Sequence, residues 1–181
     1  MTQDPRFRNK TANTENIGAY LDWYADSLHQ TLKAVDKKKF EAAFHILQEA
    51  HALGKHIWVA GNGGSAAIAD HLCCDWTKGT HCSGKPALVT HSLVANNALL
   101  TAIANDFGYE QAFSKQVELL CKPQDVLVLI SSSGNSPNIL AAAEAAKAMG
   151  IKTIGFSGFS GGKLAQVADV NLYAAFDNYG L

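Results

Sequence analysis

The stretch His56-Ile57-Trp58-Val59-Ala60-Gly61-Asn62-Gly63-Gly64-Ser65 decides the reading of this chain. An apolar run of strand length passes straight into a glycine turn, and a helical pattern opens at Ser65. Such a junction brings backbone N–H groups and a helix N-terminus to the carboxyl end of a strand, where an anion can be received. Ser131-Ser132-Ser133-Gly134-Asn135-Ser136 repeats the arrangement after a second apolar run, Val126 to Ile130, and adds four hydroxyls. In an open α/β sheet both turns fall on the rim where ligands bind. One of them alone is also what an ordinary capped turn looks like; two on one rim point to a site.

Outward from these turns, strands are expected at His56 to Ala60, Ala87 to His91, Val126 to Ile130, Thr153 to Phe156 and Val170 to Ala174. Helices are expected at about Ser65 to Thr77, Leu93 to Ala104, Glu110 to Leu120 and Pro137 to Met149, with a short one near Lys163 to Val167. The alternation is that of a parallel α/β sheet. Ser136 is the expected cap of the alanine-rich helix, with Pro137 at its first position. Ahead of the sheet, Ile17, Leu21, Tyr24, Leu28, Leu32 and Val35 recur at helical spacing, and Phe40, Phe44 and Leu47 repeat the pattern until Gly54. These two helices precede the first strand, so they either cover the sheet or pack on another subunit. Residues 1–14 read as a flexible arm and 15–181 as one domain.

Composition narrows the partners. Hydrophobic residues make up 48% of 181, which supports a packed core, and 15 basic against 16 acidic side chains leave a net charge of -1. That balance gives no general attraction for nucleic acid or an anionic membrane. No apolar run is long enough for a membrane span and the N-terminus lacks the order of an export signal, so a cytoplasmic protein is expected. Cys73, Cys74, Cys82 and Cys121 include no C-x-x-C pair, so reduced thiols are expected and a cysteine metal site is not.

Two nucleotide readings fail on the residues. Gly61-x-Gly63-x-x-Ala66 satisfies a dinucleotide fingerprint, but the next strand ends in Thr90-His91 without an acid for a ribose. Gly79 to Lys85 imitates a P-loop, yet Pro86 stands where a hydroxyl is required and no strand precedes it. No nucleotide cofactor is expected. A serine-rich turn without lysine or arginine suits one phosphate monoester held by hydroxyls and amides.

With Ala104-Asn105-Asp106-Phe107-Gly108 lying between them, the two turns resemble the sugar isomerase (SIS) domain family, most closely its phosphoheptose isomerases. The resemblance runs from about residue 15 to the end. It implies a three-layer flavodoxin-like fold with a five-stranded parallel sheet and two N-terminal helices, assembled as a homotetramer with active sites shared between subunits. It implies a phosphorylated sugar as partner and the conversion of sedoheptulose 7-phosphate into D-glycero-D-manno-heptose 7-phosphate. It assigns phosphate to Ser131, Ser132, Ser133 and Ser136, and the sugar to Asn62, Gly63, Ser65 and Asp106.

His71 and Asp75 are four residues apart on the helix after the glycine turn, so they share a face and could be metal ligands or an oriented base. By itself such a pair is more often a surface hydrogen bond. In the resembling family a histidine and a catalytic glutamate stand here and both hold zinc, one ion per subunit. The resemblance therefore makes Asp75 the candidate base, with His71 beside it, and makes both candidate zinc ligands. Two departures follow. Asp75 is one methylene shorter than glutamate, and the family's C-terminal helix, carrying a glutamine and a histidine, has no counterpart before Leu181.

Two rivals remain at this stage. A non-catalytic SIS protein that binds a phosphosugar or the replication initiator is one, because Leu100 to Asp106 resembles those relatives as well. An amidotransferase-linked aminosugar isomerase is the other, though it normally needs two SIS halves. His29, His45 and His51, and Trp23, Trp58 and Trp76, read as packing or interface residues.

Overall fold

The computed structural model describes residues 16–177; the arm expected over 1–14 lies outside them. Helix α1 (Ile17–Ala34) starts at Asn16, whose side chain accepts from the Ala19 N–H at 3.1 Å. Helix α2 (Lys37–Ala52) starts at Asp36, whose carboxylate accepts from Lys38 and Lys39 N–H. Both caps satisfy donors that a helix start leaves orphaned.

Strands β1 (His56–Gly61), β2 (Val89–Ser92), β3 (Val126–Ser131), β4 (Lys152–Ser157) and β5 (Val170–Tyr173) form one sheet of order β2-β1-β3-β4-β5, with every pairing parallel. The connecting helices are α3 (Gly64–Cys74), α4 (Asn97–Phe107), α5 (Ser114–Leu120), α6 (Pro137–Ala148) and α7 (Leu164–Val167). From β1 the chain steps one way to β2 and then back across to β3, β4 and β5. Right-handed crossovers therefore put α3 on one face, with α2, and α6 and α7 on the other, with α5 against α6. Ile57, Val59, Leu127, Leu129 and Ile154 are buried between these layers, which is why the strands read as continuous apolar runs rather than alternating ones.

Asp125 pins the lower edge of the sheet. Its buried carboxylate accepts from the His56 N–H at 3.0 Å, the Trp58 Nε1 at 2.9 Å and the Lys122 N–H at 2.9 Å, so it fixes the start of β1 against the start of β3. The four cysteines are free, as expected. Burial, with the Asp125 charge adding and Lys122 opposing, pushes the Cys121 thiol up to about 12, so it serves as a small core residue.

Two expectations are corrected and one open alternative is narrowed. The helix expected from Leu93 begins at Asn97, capped by Asn96, because Leu93 and Val94 are buried in the preceding turn and the Leu93 carbonyl accepts from Gln116 Nε2 at 2.9 Å. The single helix expected over Glu110 to Leu120 is a 3₁₀ turn (Tyr109–Gln111) followed by α5; the Ser114 hydroxyl bonds Gln111, the local competition that breaks helices. The open alternative concerns α1. Its apolar stripe does not cover the sheet: Ile17 is 76% exposed and Leu21 and Leu32 64%, while the residues it buries are Ser27 and Thr31. Sheet coverage falls to α2, through Ala43 and Ala50.

Candidate active site

The register Gly61↔Ile130 ends β1 and β3 at the same level, so the glycine turn and the serine turn leave the sheet side by side, about 5 Å apart. They also flank the point where the connectivity reverses, which is where open α/β sheets take their ligands. Gly61 is forced by packing: a Cβ there would sit 2.5 Å from the Ser65 carbonyl oxygen, so any side chain would push α3 off the strand. Gly134 is forced twice, by a φ of +65° and by the Gly161 carbonyl oxygen occupying the space a Cβ would need.

The serine turn is held by its carbonyls. The Ser131, Ser132 and Gly134 oxygens accept from the N–H groups of Gly134, Gly158 and Leu164, and Asn135 bridges the Ser133 carbonyl and the Lys163 N–H. The hydroxyls are used differently. Ser131 and Ser136 meet Oγ to Oγ at 3.2 Å, and Ser133 Oγ accepts from the Asn135 N–H at 3.2 Å. Among the described residues none of the four hydroxyls donates to the main chain. Ser136, expected as the cap of α6, makes no capping bond; its hydroxyl turns into the serine cluster instead, while Pro137 takes the first turn as expected.

Ser65 and Ser132 line one cavity of about 190 Å³, together with Ile68, Ile130, Phe156 and other apolar side chains. The two turns thus share a pocket rather than standing on separate sides of the molecule. Gly63, at φ +55°, caps α3, its carbonyl accepting from the Ala66 and Ala67 N–H groups. Asn62 is held in a network beside it: Asn62 and Asn138 exchange two amide bonds at 2.8 and 2.9 Å, and Tyr109 donates its hydroxyl to Asn62 Oδ1 at 2.8 Å. Asp106, exposed on α4, accepts from Asn105 Nδ2 at 2.9 Å, three residues before the Tyr109 that bonds Asn62.

Asn138 and Tyr109 were not singled out from the sequence. Asn138 carries one usable signal, a polar residue set between Pro137 and a run of apolar ones; Tyr109 carries none beyond following the Ala104 to Gly108 motif.

His71 and Asp75 come together, Nδ1 to Oδ1 at 3.5 Å, with side chains 76% and 63% exposed. They do not join the cavity. At 1.5 Å per residue, Asp75 lies about 15 Å along the helix axis from Ser65, at the point where α3 passes into a π-helical turn (Asp75–Gly79). Zinc takes four ligands. The pair offers two donors, and among the described residues no group of three His, Cys, Asp or Glu side chains is placed to hold a metal. The described residues of one copy therefore fall short of the donor set that zinc requires.

Comparison with known proteins places these features in context. A family model for the SIS domain matches residues 19–158. The phosphoheptose isomerase of Synechocystis sp. is 37% identical over 160 residues, covering 87% of this chain and 82% of that one. That of Nitratidesulfovibrio vulgaris is 45% identical over 118 residues, covering 65% of this chain and 56% of the relative, little more than half its length. Among solved structures, a phosphoheptose isomerase from Francisella tularensis superposes with a TM-score of 0.83 at 30% identity, over 94% of this chain and 90% of that one.

Proposed function

Because the chain belongs to the SIS domain family, we propose that it is a phosphoheptose isomerase that interconverts sedoheptulose 7-phosphate and D-glycero-D-manno-heptose 7-phosphate in the cytoplasm. The observation that carries the reading is the shared cavity: each of the two turns contributes a serine to it, Ser65 and Ser132, and among the described residues only the Ser133 hydroxyl of the four in the serine turn bonds the main chain. Among the described residues no helix is long and apolar enough to cross a membrane.

In this reading Ser131, Ser132, Ser133 and Ser136 hold the phosphate, and Asn62, Gly63, Ser65 and Asp106 orient the open-chain sugar. Binding energy from the phosphate, remote from the reacting carbons, fixes the orientation that the proton transfer needs. Asp75 takes the proton from C1 of the ketose and returns it to C2, while the hydroxyl proton of O1 passes to O2, so the reaction is neutral in atoms and charge. His71, beside Asp75, supports the enediolate oxygen in between.

A second copy is part of this reading. His71 and Asp75 stand exposed, outside the cavity and about 15 Å along the helix axis from Ser65, so we infer that they serve the phosphate turn of a neighbouring copy. The bare apolar stripe of α1 supports a homotetramer. Burying what remains exposed of Ile17, Leu21, Leu28 and Leu32, at about 1.5–3 kcal/mol for a whole side chain, amounts to roughly 4–7 kcal/mol, near the lower end of a typical domain's stability. One zinc ion per subunit at His71 and Asp75 likewise needs donors from outside the described residues of one chain, and no step above is routed through it.

The exposure of His71 and Asp75 in a single copy also favours a second reading, a SIS protein that binds the phosphosugar without turning it over. One experiment separates the two. The purified protein is given sedoheptulose 7-phosphate with and without Asp75→Asn, and binding is followed by calorimetry in the same samples. The isomerase reading expects product from the unaltered protein and a loss of about 10²–10⁴ in kcat in the variant. Tight binding without product overturns it in favour of the binding protein, and equal turnover by both proteins removes Asp75 from its role.

A further inference from the structure

Among the groups the mechanism leaves unused, one bears directly on the sugar site. The Tyr109 hydroxyl, the buried Asn138 amide and Asn62 join three segments that the sequence keeps apart: the turn after α4, the first turn of α6 and the glycine turn after β1. A reciprocal amide pair is satisfied equally well with both amides turned over, so Asn62 and Asn138 alone do not fix which atom Asn62 presents. The phenol breaks the tie. Its oxygen lone pair is drawn into the ring, making it a better donor than acceptor, and it meets Asn62 Oδ1 at 2.8 Å. With Oδ1 filled by Tyr109 and Asn138, and one Nδ2 hydrogen given to Asn138, Asn62 retains a single free N–H.

We propose that Tyr109 is a positioning residue that locks the Asn62 amide so that the glycine turn presents an N–H donor to a sugar oxygen. Tyr109 does not touch the substrate in this assignment; it acts through Asn62. The proposal rests on the phosphosugar reading above and deepens it, because it makes the turn selective for an oxygen acceptor at that place. It also explains why an exposed tyrosine, 55% accessible, spends its hydroxyl on Asn62 of the glycine turn.

The test is a double-mutant cycle of Tyr109→Phe and Asn62→Ala, read by steady-state turnover of sedoheptulose 7-phosphate. Tyr109→Phe removes one oxygen from an exposed ring, so the thermal midpoint is expected to hold. kcat/KM is expected to fall about tenfold, carried by KM with kcat within about twofold, because the Asn62 bond is made to ground state and transition state alike. In the Asn62→Ala background the same change is expected to do nothing. Additive losses, or a full-strength Tyr109→Phe enzyme, overturn the proposal while leaving the isomerase reading intact. No turnover by the unaltered protein overturns that reading and this inference with it.

Discussion

At the residue scale, the distinction that matters is between a serine that holds its own backbone and one left for a ligand. Ser136 illustrates it. A serine before proline at a helix start is the ordinary cap, and here the hydroxyl turns instead to Ser131, 3.2 Å away, because the carbonyls of the turn already supply its structural bonds. A hydroxyl left out of the scaffold can be removed without collapsing it. Ser131→Ala is therefore expected to weaken the apparent affinity for sedoheptulose 7-phosphate by about 10- to 100-fold, the usual worth of a hydrogen bond to a charged group, with the unfolding midpoint in urea almost unchanged. A loss of stability with unchanged affinity would make the serine structural. The residue types in both turns could be read directly from the chain, and so could their anion chemistry. The engagement of Asn62 by Asn138 and Tyr109 could not, since those partners lie 76 and 47 positions away.

At the element scale, β1 and β2 were legible from their apolar runs, but what they do to one another was not. The register pairs Trp58 with His91, and their rings stack at 4.4 Å, with His56 Nδ1 3.2 Å from His91 Nε2. Burial lowers the His91 pKa below its ordinary 6.5, the neighbouring His56 lowers it further, and the Asp125 carboxylate opposes them. A histidine whose folded value is depressed binds fewer protons folded than unfolded. Its stability contribution is thus fully present above about pH 6.5 and declines as the pH falls from there to the lowered value, below which it is level. Urea unfolding across pH 5 to 8 is expected to show that slope, and His91→Phe, which keeps the stack without the charge, to flatten it. An unchanged slope in the variant would assign the dependence to another group. The helix boundaries that were misplaced, at Asn97 and Ser114, share one cause. Both are set by a side chain bonding to backbone or to a buried turn, a choice that periodicity does not register.

At the scale of the whole molecule, α1 carries the argument. Its apolar residues follow helical spacing well enough to identify the helix, yet in the fold they face outward while Ser27 and Thr31 face in. Leu21→Arg, on that stripe, is expected to shift the tetramer proposed above to smaller species in light scattering at micromolar concentration. The variant should stay folded, and on the proposed shared site its turnover should fall about 100-fold or more, because the proposed base, displaced from its neighbour's phosphate turn, is no longer within reach. A monomeric variant with full activity would refute the shared site. By itself the sequence determined the five parallel strands, the alternating helices, the two turns at strand ends and the residue types they offer, because these follow from local periodicity and from glycine and serine at fixed offsets. Only the tertiary structure decided that the turns meet at one cavity, that Asn62 is tied to Asn138 and Tyr109, and that His71 and Asp75 stand about 15 Å along α3 from Ser65. The physical reason is that distance in space between elements is set by strand order and helix packing, and neither is encoded within any window of the chain.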